Sequence, residues 1–180
     1  DDKALLHHFA EEVDVITFES ENIPTQAAEF LQDFKPVYPS LDALSTCQDR
    51  LYEKQFCQQH NIPTPRFWPI NTKAELLNAL EDCGYPAVLK TRRFGYDGKG
   101  QARLKSAEDI DAAWDMLGDQ ELILEAWINF TRELSCIAAR NKSGHIKIYP
   151  LVGNIHYDSV LHLSLAPLTD IDPIQQQAND

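Results

Sequence analysis

Positive charge is the first thing in short supply: 16 Lys and Arg stand against 28 Asp and Glu, a net of −12 over 180 residues. Such a balance argues against non-specific attachment to nucleic acid or to an anionic membrane, both of which need a cationic surface. Cysteine is scarce and scattered, at Cys47, Cys57, Cys83 and Cys136. With no C-x-x-C pair, a structural zinc site or a disulfide framework is not expected, and a reduced, cytoplasmic setting fits best. The six histidines show no H-E-x-x-H or similar spacing, so no metal ligand is assigned. No apolar run reaches the length of a membrane span and no signal-peptide pattern heads the chain. An initiator Met is also missing. The chain opens at "DDKALLHHF" and stops at "IQQQAND", and the expectation is a fragment.

What is present is an ordinary globular composition, 43% hydrophobic and 24% charged. "DKALLHHFAEE" has helical spacing with Ala4, Leu5, His8 and Phe9 on one side, and "VDVITF" reads as a buried strand. Pro24 opens a second amphipathic helix, "PTQAAEFLQDF", and "PVYP" is a short strand. This alternation predicts a parallel α/β layer. Ser40 caps a short helix, and a longer one runs to about His60, stopped by Asn61 and Pro63. The extended "IPTPRFWP" marks a boundary. Beyond it, Thr72-x-x-Glu75 is a capping box, "PAVLKT" and "GQARL" are strands, Ser106 caps a helix carrying Ile110, Ala113, Trp114 and Leu117, and "ELILEAWI" is a strand. Residues 63–127 therefore read as a small α+β lobe. "RELSCIAAR", "HIKIYPLV" and "VLHLSLAP" follow as antiparallel strands, with "NKSG" as a turn between the first two.

Glycine is rare as well, seven in all, yet Gly95, Gly98 and Gly100 fall within "RRFGYDGKG", residues 92–100. Each glycine in an ordered element costs roughly 0.5–1 kcal/mol relative to alanine. Asp97-Gly98 is a common hairpin pair, which accounts for one of the three. Lys90, Arg92, Arg93 and Lys99 surround them, a local basic cluster in an acidic chain, and point to an anion site. Glycine lets amides approach phosphate oxygens while flanking cations neutralise them. Neither G-x-x-x-x-G-K-[ST] nor a G-x-G-x-x-G between strand and helix is present, since Gly100 precedes Gln101 and the loop joins two strands. Spacing alone leaves a tight hairpin and a phosphate-covering flap both open.

At "VLKTRRFGYDGKGQ" the sequence resembles the signature of the 5-(carboxyamino)imidazole ribonucleotide synthetases, ATP-grasp enzymes of purine biosynthesis. "DVITFESENIP", "QDRLYEKQF", "IPTPRF", "LILEAWINFTRELSCIAAR" and "YPLVGNIHYDSVLHLSLAP" agree with it in order, so the resemblance covers nearly the whole chain. It implies a partial ATP-grasp fold of mixed α/β and α+β class. Residues 1–62 would be the end of an N-terminal α/β domain with a linker helix. Residues 63–127 would be the small ATP-grasp lobe, and 128–180 the start of the large antiparallel-sheet lobe.

Residue by residue, the resemblance implies that Arg50 and Lys90 contact nucleotide, Lys90 at the phosphates. On plain grounds each would be a surface cation. Gly95, Tyr96, Asp97, Gly98, Lys99, Gly100 and Gln101 match the phosphate-covering loop. Tyr96, Asp97 and Lys99 match positions associated with the imidazole ribonucleotide or the activated bicarbonate, and are the catalytic candidates. Some family members carry arginine at the position of Lys99, and lysine cannot make a forked contact. Glu125, Ala126, Trp127 and Ile128 match the adenine-reading hinge, where the plain reading is a buried strand. Glu133 matches the ribose-binding carboxylate. His156 matches a nucleotide-proximal position, where the plain reading is a surface-loop histidine.

The resemblance further implies ATP-dependent carboxylation of 5-aminoimidazole ribonucleotide by bicarbonate, with Mg²⁺ held by carboxylates outside this chain. The expected partners are small molecules, not nucleic acid or membrane, and the expected assembly is a homodimer of the full-length protein. Another ATP-grasp carboxylate–amine ligase and a non-catalytic nucleotide-binding module remain the alternatives.

Overall fold

The computed structural model describes residues 2–168 and 172–179. They form two compact units, one of residues up to 95 with 100–127, the other of residues 96–99 with the chain beyond 127.

The first unit opens with helix α1, Lys3–Glu11, whose first turn is capped by the Asp2 carboxylate accepting from the Ala4 and Leu5 amides. Strand β1, Ile16–Thr17, helix α2, Thr25–Gln32, and strand β2, Val37–Tyr38, follow. The two strands pair in parallel, Ile16 opposite Val37, as the alternating pattern predicts. Pro24 serves as the N-cap, one residue before the helix proper. The buried side of α1 is not the expected one. Ala10 packs with Ile16 and Leu31, and Leu6 lies against them, whereas Leu5 and Phe9 are exposed. Leu5–Phe9 and Leu6–Ala10 both satisfy i, i+4 spacing, so periodicity offered two stripes and packing selected one. The "VDVITF" strand is likewise reduced to two residues, with Val15 exposed.

Helix α3, Leu41–Cys47, starts on Ser40, whose Oγ accepts the Ala43 amide at 3.3 Å. Helix α4, Arg50–Gln59, starts on Asp49, whose carboxylate accepts the Leu51 amide at 2.9 Å. Asn61, at φ 57°, turns the chain out of it. Then come β3 (Phe67–Ile70), α5 (Lys73–Cys83), β4 (Ala87–Thr91), β5 (Gln101–Leu104), α6 (Ile110–Leu117) and β6 (Leu122–Ala126). The strands form one antiparallel sheet in the order β3-β6-β4-β5. Pro69 sits in β3, at an edge of that sheet, where a missing N–H is tolerated.

Helices α5 and α6 supply one apolar stripe each, Leu76, Ala79 and Leu80 from the first and Ile110, Ala113 and Leu117 from the second. These pack with Ile70, Ala87, Leu89, Leu104, Leu122 and Leu124 of the strands. Full burial of each leucine is worth about 1.5–3 kcal/mol relative to exposure. Period-2 alternation leaves the other face of the sheet to Val88, Lys90, Gln101, Arg103, Ile123 and Glu125.

In the second unit, β7 (Glu133–Ser135), β8 (Ala138–Arg140), β9 (Ile146–Ile148), β10 (Val152–Tyr157) and β11 (Val160–Leu165) precede helix α7, Asp172–Asn179. Strands β11-β10-β7 form an antiparallel sheet, and β8-β9 a separate hairpin. "RELSCIAAR" is therefore not one strand. It breaks between Ser135 and Ala138, because its two halves find partners in different sheets. "GNIHY" lies within strand β10, paired with β11 along its length and with β7 at Gly153 and Asn154. No helix among the described residues is long and apolar enough to cross a membrane.

The capping box of α5 is formed as expected: Glu75 N–H donates to Thr72 Oγ1 at 3.2 Å, and the Glu75 carboxylate accepts from the Thr72 amide at 3.3 Å. Thr72→Ala is expected to lower stability by about 1 kcal/mol, read as a lower urea midpoint at unchanged slope.

Candidate functional site

The sheet face turned away from α5 and α6 carries the chemistry of the first unit. Lys90 Nζ donates to Glu125 Oε2 at 3.0 Å, from the neighbouring strand. A third group joins them: Lys54 Nζ lies 3.4 Å from the same carboxylate oxygen and donates to Thr64 Oγ1 at 3.1 Å. The Glu125 side chain is only 8% exposed, against 16% for Lys54 and 23% for Lys90. A carboxylate this far from water requires compensating charge and hydrogen bonds, and two ammonium groups provide both.

Helix α4 positions this cluster through its first turn. Asp49, buried at the N-cap, accepts two bonds from Arg92, at 2.9 Å from Nε and 2.6 Å from Nη2. Glu121 adds a third at 3.3 Å, and Tyr52 lies under the guanidinium at 5.2 Å. The bond to Asp49 pushes the Arg92 pKa above its ordinary value against the opposing effect of burial. Arg92 is thus a structural cation. Its place in the expected anion site is corrected, because a buried bidentate pair cannot also present its charge to a ligand.

Arg50, the next residue, is half-buried rather than a free helix-surface charge. Its Nε donates to the Thr91 carbonyl and its Nη2 to the Gly95 carbonyl, each at 3.2 Å. It therefore holds both ends of the segment entering the glycine-rich loop. Arg93 donates to the neutral amide oxygen of Gln48 at 2.8 Å. Arg50, Arg92 and Arg93 line a cleft of about 320 Å³ together with Glu21, Asn22 and Gly95.

The loop closes on the first unit at Gly100, whose carbonyl accepts the Thr91 amide at 2.8 Å. Gly100 has φ 70°, and a Cβ there would sit 2.5 Å from Thr91 Oγ1. Gln101 begins β5 opposite Lys90. Ala126 ends β6 with its amide donating to the Arg66 carbonyl at 2.9 Å. Arg103 stacks on the Trp127 ring at 3.9 Å.

The remaining candidates fall in the second unit. Lys99 Nζ donates to the Tyr96 hydroxyl at 2.9 Å and lies 4.6 Å from its ring centroid. The hydrogen bond raises the Lys99 pKa. Asp97 adopts φ 46° and Gly98 φ 76°. A Cβ on Gly98 would meet Ser159 Cβ at 2.9 Å, so this glycine is required by close approach as well as by backbone angle. Ile128 is exposed. Glu133 opens β7, and His156 Nδ1 lies 3.3 Å from its Oε2. His156 is on β10 and not in a loop, paired with Leu161 of β11 just after a register shift that leaves His162 of β11 as the extra residue. Glu133 pairs with Asn154, so His156, two residues on, is its diagonal neighbour on the same face of the sheet. Glu133 also lines a cleft of about 460 Å³ with Arg132, Asn154 and Leu168.

Among the described residues, no three or more His, Cys, Asp or Glu side chains converge to hold a metal ion.

A family model described as the ATP-grasp domain matches residues 55–180. The chain belongs to the ATP-grasp family. A second model, the ribonucleotide synthetase preATP-grasp domain, matches residues 1–48. N5-carboxyaminoimidazole ribonucleotide synthase of Pseudomonas aeruginosa is 42% identical over 99% of this chain and 49% of its own length. The crystal structure of the corresponding synthetase from Thermus thermophilus superposes with a TM-score of 0.90 at 41% identity, covering 99% of this chain and 48% of that one. The Aspergillus clavatus enzyme, solved with ADP and 5-aminoimidazole ribonucleotide, gives 0.89 at 31% identity, with 99% and 46% covered. The chain thus spans about half the length of the relatives it matches, and it has the ATP-grasp fold.

Lys54 was not singled out from the sequence, although its signal was present: Arg50 and Lys54 stand i, i+4 in "RLYEK" and share a helix face. Asp49 and Glu121 carried no comparable signal, since their partner Arg92 is remote in sequence.

Gly84 and Gly100 separate two costs in this ATP-grasp chain. Both have positive φ, 74° and 70°, but a Cβ on Gly84 meets nothing within 4 Å. Gly84, at ψ −172°, lies in a region only glycine adopts freely, and Gly84→Ala is expected to cost about 1–3 kcal/mol from backbone strain alone. Gly100→Ala adds about 1–3 kcal/mol for overpacking against the buried Thr91. Equal urea midpoints for the two variants would contradict this.

Proposed function

We propose that this chain carries the nucleotide-handling half of an enzyme that uses ATP and bicarbonate to carboxylate 5-aminoimidazole ribonucleotide, forming 5-(carboxyamino)imidazole ribonucleotide in purine biosynthesis. The observation that supports it most is the Lys90–Glu125 pair on the core-free face of the four-stranded sheet, beside the backbone of Ala126 and Trp127. The two sequence segments involved are those that resemble the phosphate-binding strand and the adenine-reading hinge. The Aspergillus clavatus relative, solved with ADP and 5-aminoimidazole ribonucleotide, supports the choice of substrates.

In this reading Lys90 meets the phosphates, and Arg50 holds the base of the loop by its carbonyls. The amides of Gly95, Gly98 and Gly100 approach phosphate oxygens. Glu125, Ala126, Trp127 and Ile128 take adenine, and Glu133 and His156 the ribose end. Bicarbonate oxygen attacks the γ-phosphorus, ADP leaves, and carboxyphosphate forms. The exocyclic amine of the acceptor then attacks the carboxyl carbon and phosphate departs. Tyr96, Asp97 and Lys99 serve this second half. The protein contributes positioning, charge stabilisation and exclusion of water from a labile intermediate. The expected organisation has three segments, residues 1–62, 63–127 and 128–180. The full-length enzyme would be a cytoplasmic homodimer that takes its Mg²⁺ on ligands outside this chain.

The test is phosphate release by the full-length polypeptide, with and without 5-aminoimidazole ribonucleotide. Release dependent on both bicarbonate and the ribonucleotide is expected. ATP hydrolysis driven by another amine acceptor would instead favour a different ATP-grasp ligase, and ATP binding without any hydrolysis a non-catalytic module. Lys90→Met is expected to raise the KM for ATP about ten- to a hundredfold, the loss of one charge-assisted contact. The 180-residue chain alone is expected to bind ATP weakly and not to turn over.

A further inference from the structure

We propose that Lys54 is a positioning residue for ATP: it retains the buried Glu125 carboxylate when Lys90 turns to the phosphates. The inference rests on the reading that Lys90 is the phosphate ligand. Lys90 and Lys54 approach the same oxygen, Glu125 Oε2, at 3.0 and 3.4 Å. When phosphate arrives, Lys90 has two anionic claimants. If Glu125 had no second partner, drawing Lys90 away would leave a nearly buried carboxylate uncompensated, and that cost would be taken from nucleotide affinity.

Lys54 removes that conflict because it is anchored independently of Lys90. Its ammonium also donates to Thr64 Oγ1 at 3.1 Å. Its helix is pinned one turn earlier by the Asp49–Arg92 pair and by Arg50 on the Thr91 and Gly95 carbonyls. The Lys54 side chain is more buried than that of Lys90, which makes it the natural permanent partner. Lys54 lies outside the glycine-rich loop and the hinge, and its effect on nucleotide runs through Glu125.

The experiment is steady-state kinetics of the full-length polypeptide with ATP as varied substrate. Lys54→Met leaves Glu125 dependent on Lys90, so the KM for ATP is expected to rise about tenfold with kcat changed less than twofold. Lys54→Arg, which keeps the charge, is expected to fall within threefold of wild type. In a Glu125→Gln background the carboxylate is gone, and Lys54→Met should then change the KM less than twofold. Melting temperatures are recorded for every variant. Should Lys54→Met not fold, Thr64→Val loosens the same ammonium without removing it and is expected to raise the KM about threefold. The proposal is overturned if Lys90→Met raises the KM while neither Lys54→Met nor Thr64→Val does. An equal effect of Lys54→Met with and without Glu125 overturns it as well. If Lys90→Met itself leaves the KM unchanged, the phosphate reading fails first and this inference falls with it.

Discussion

Asp49 and Arg92 form the contact on which the arrangement of the first unit depends. The carboxylate caps helix α4 and, with its remaining capacity, takes a bidentate guanidinium from the end of β4. Both partners are almost fully buried. Removing either would strand the other away from water, which is why such pairs are costly to break even where their net worth is small. Because the pair joins the N-cap of a helix to the residue that follows a strand, it fixes the helix in rotation as well as in position. Arg50 then falls on the carbonyls of the loop base, and Lys54, one turn on, falls on Glu125.

The division of labour across the four-stranded sheet follows from its pleat. Alternate residues of β4 face two helices and make a dry leucine core, while those between them face the other way. A buried strand that reads "AVLKT" can hold a lysine because Lys90 occupies an outward position with Glu125 as its neighbour. The same alternation puts Arg103 over Trp127 and Gln101 opposite Lys90. Stability and ligand chemistry are thereby assigned to opposite faces of one sheet, and the fold tolerates charge on one face without weakening the other.

The glycine-rich loop shows how a small number of glycines can be distributed among different duties. Gly100 is needed by contact with Thr91 and Gly98 by contact with Ser159, each at a backbone angle that a side chain resists. In the same loop Tyr96 and Lys99 satisfy one another. In the second unit the Glu133–His156 contact is again a consequence of strand pairing, together with the cross-strand bond of Asn154 to Ser135 at 2.6 Å.

The sequence by itself determined the local elements whose causes are local. The Ser40 and Thr72 caps, the helix stop at Asn61, the strand–loop–strand around residues 92–100 and the antiparallel character of the C-terminal strands all follow from neighbours within a few residues. It also carried the family signature, in which Lys90, the loop and the 125–128 segment stand at recognisable spacings. Tertiary structure decided the rest. Which stripe of α1 is buried and the split of "RELSCIAAR" between two sheets depend on partners far along the chain. So do the conversion of Arg92 from anion ligand to structural cation and the arrival of Lys54 beside Glu125. The reason is the same each time: the energy of a buried charge or an apolar face is set by what lies across from it, and that neighbour is contributed by a distant stretch of the sequence.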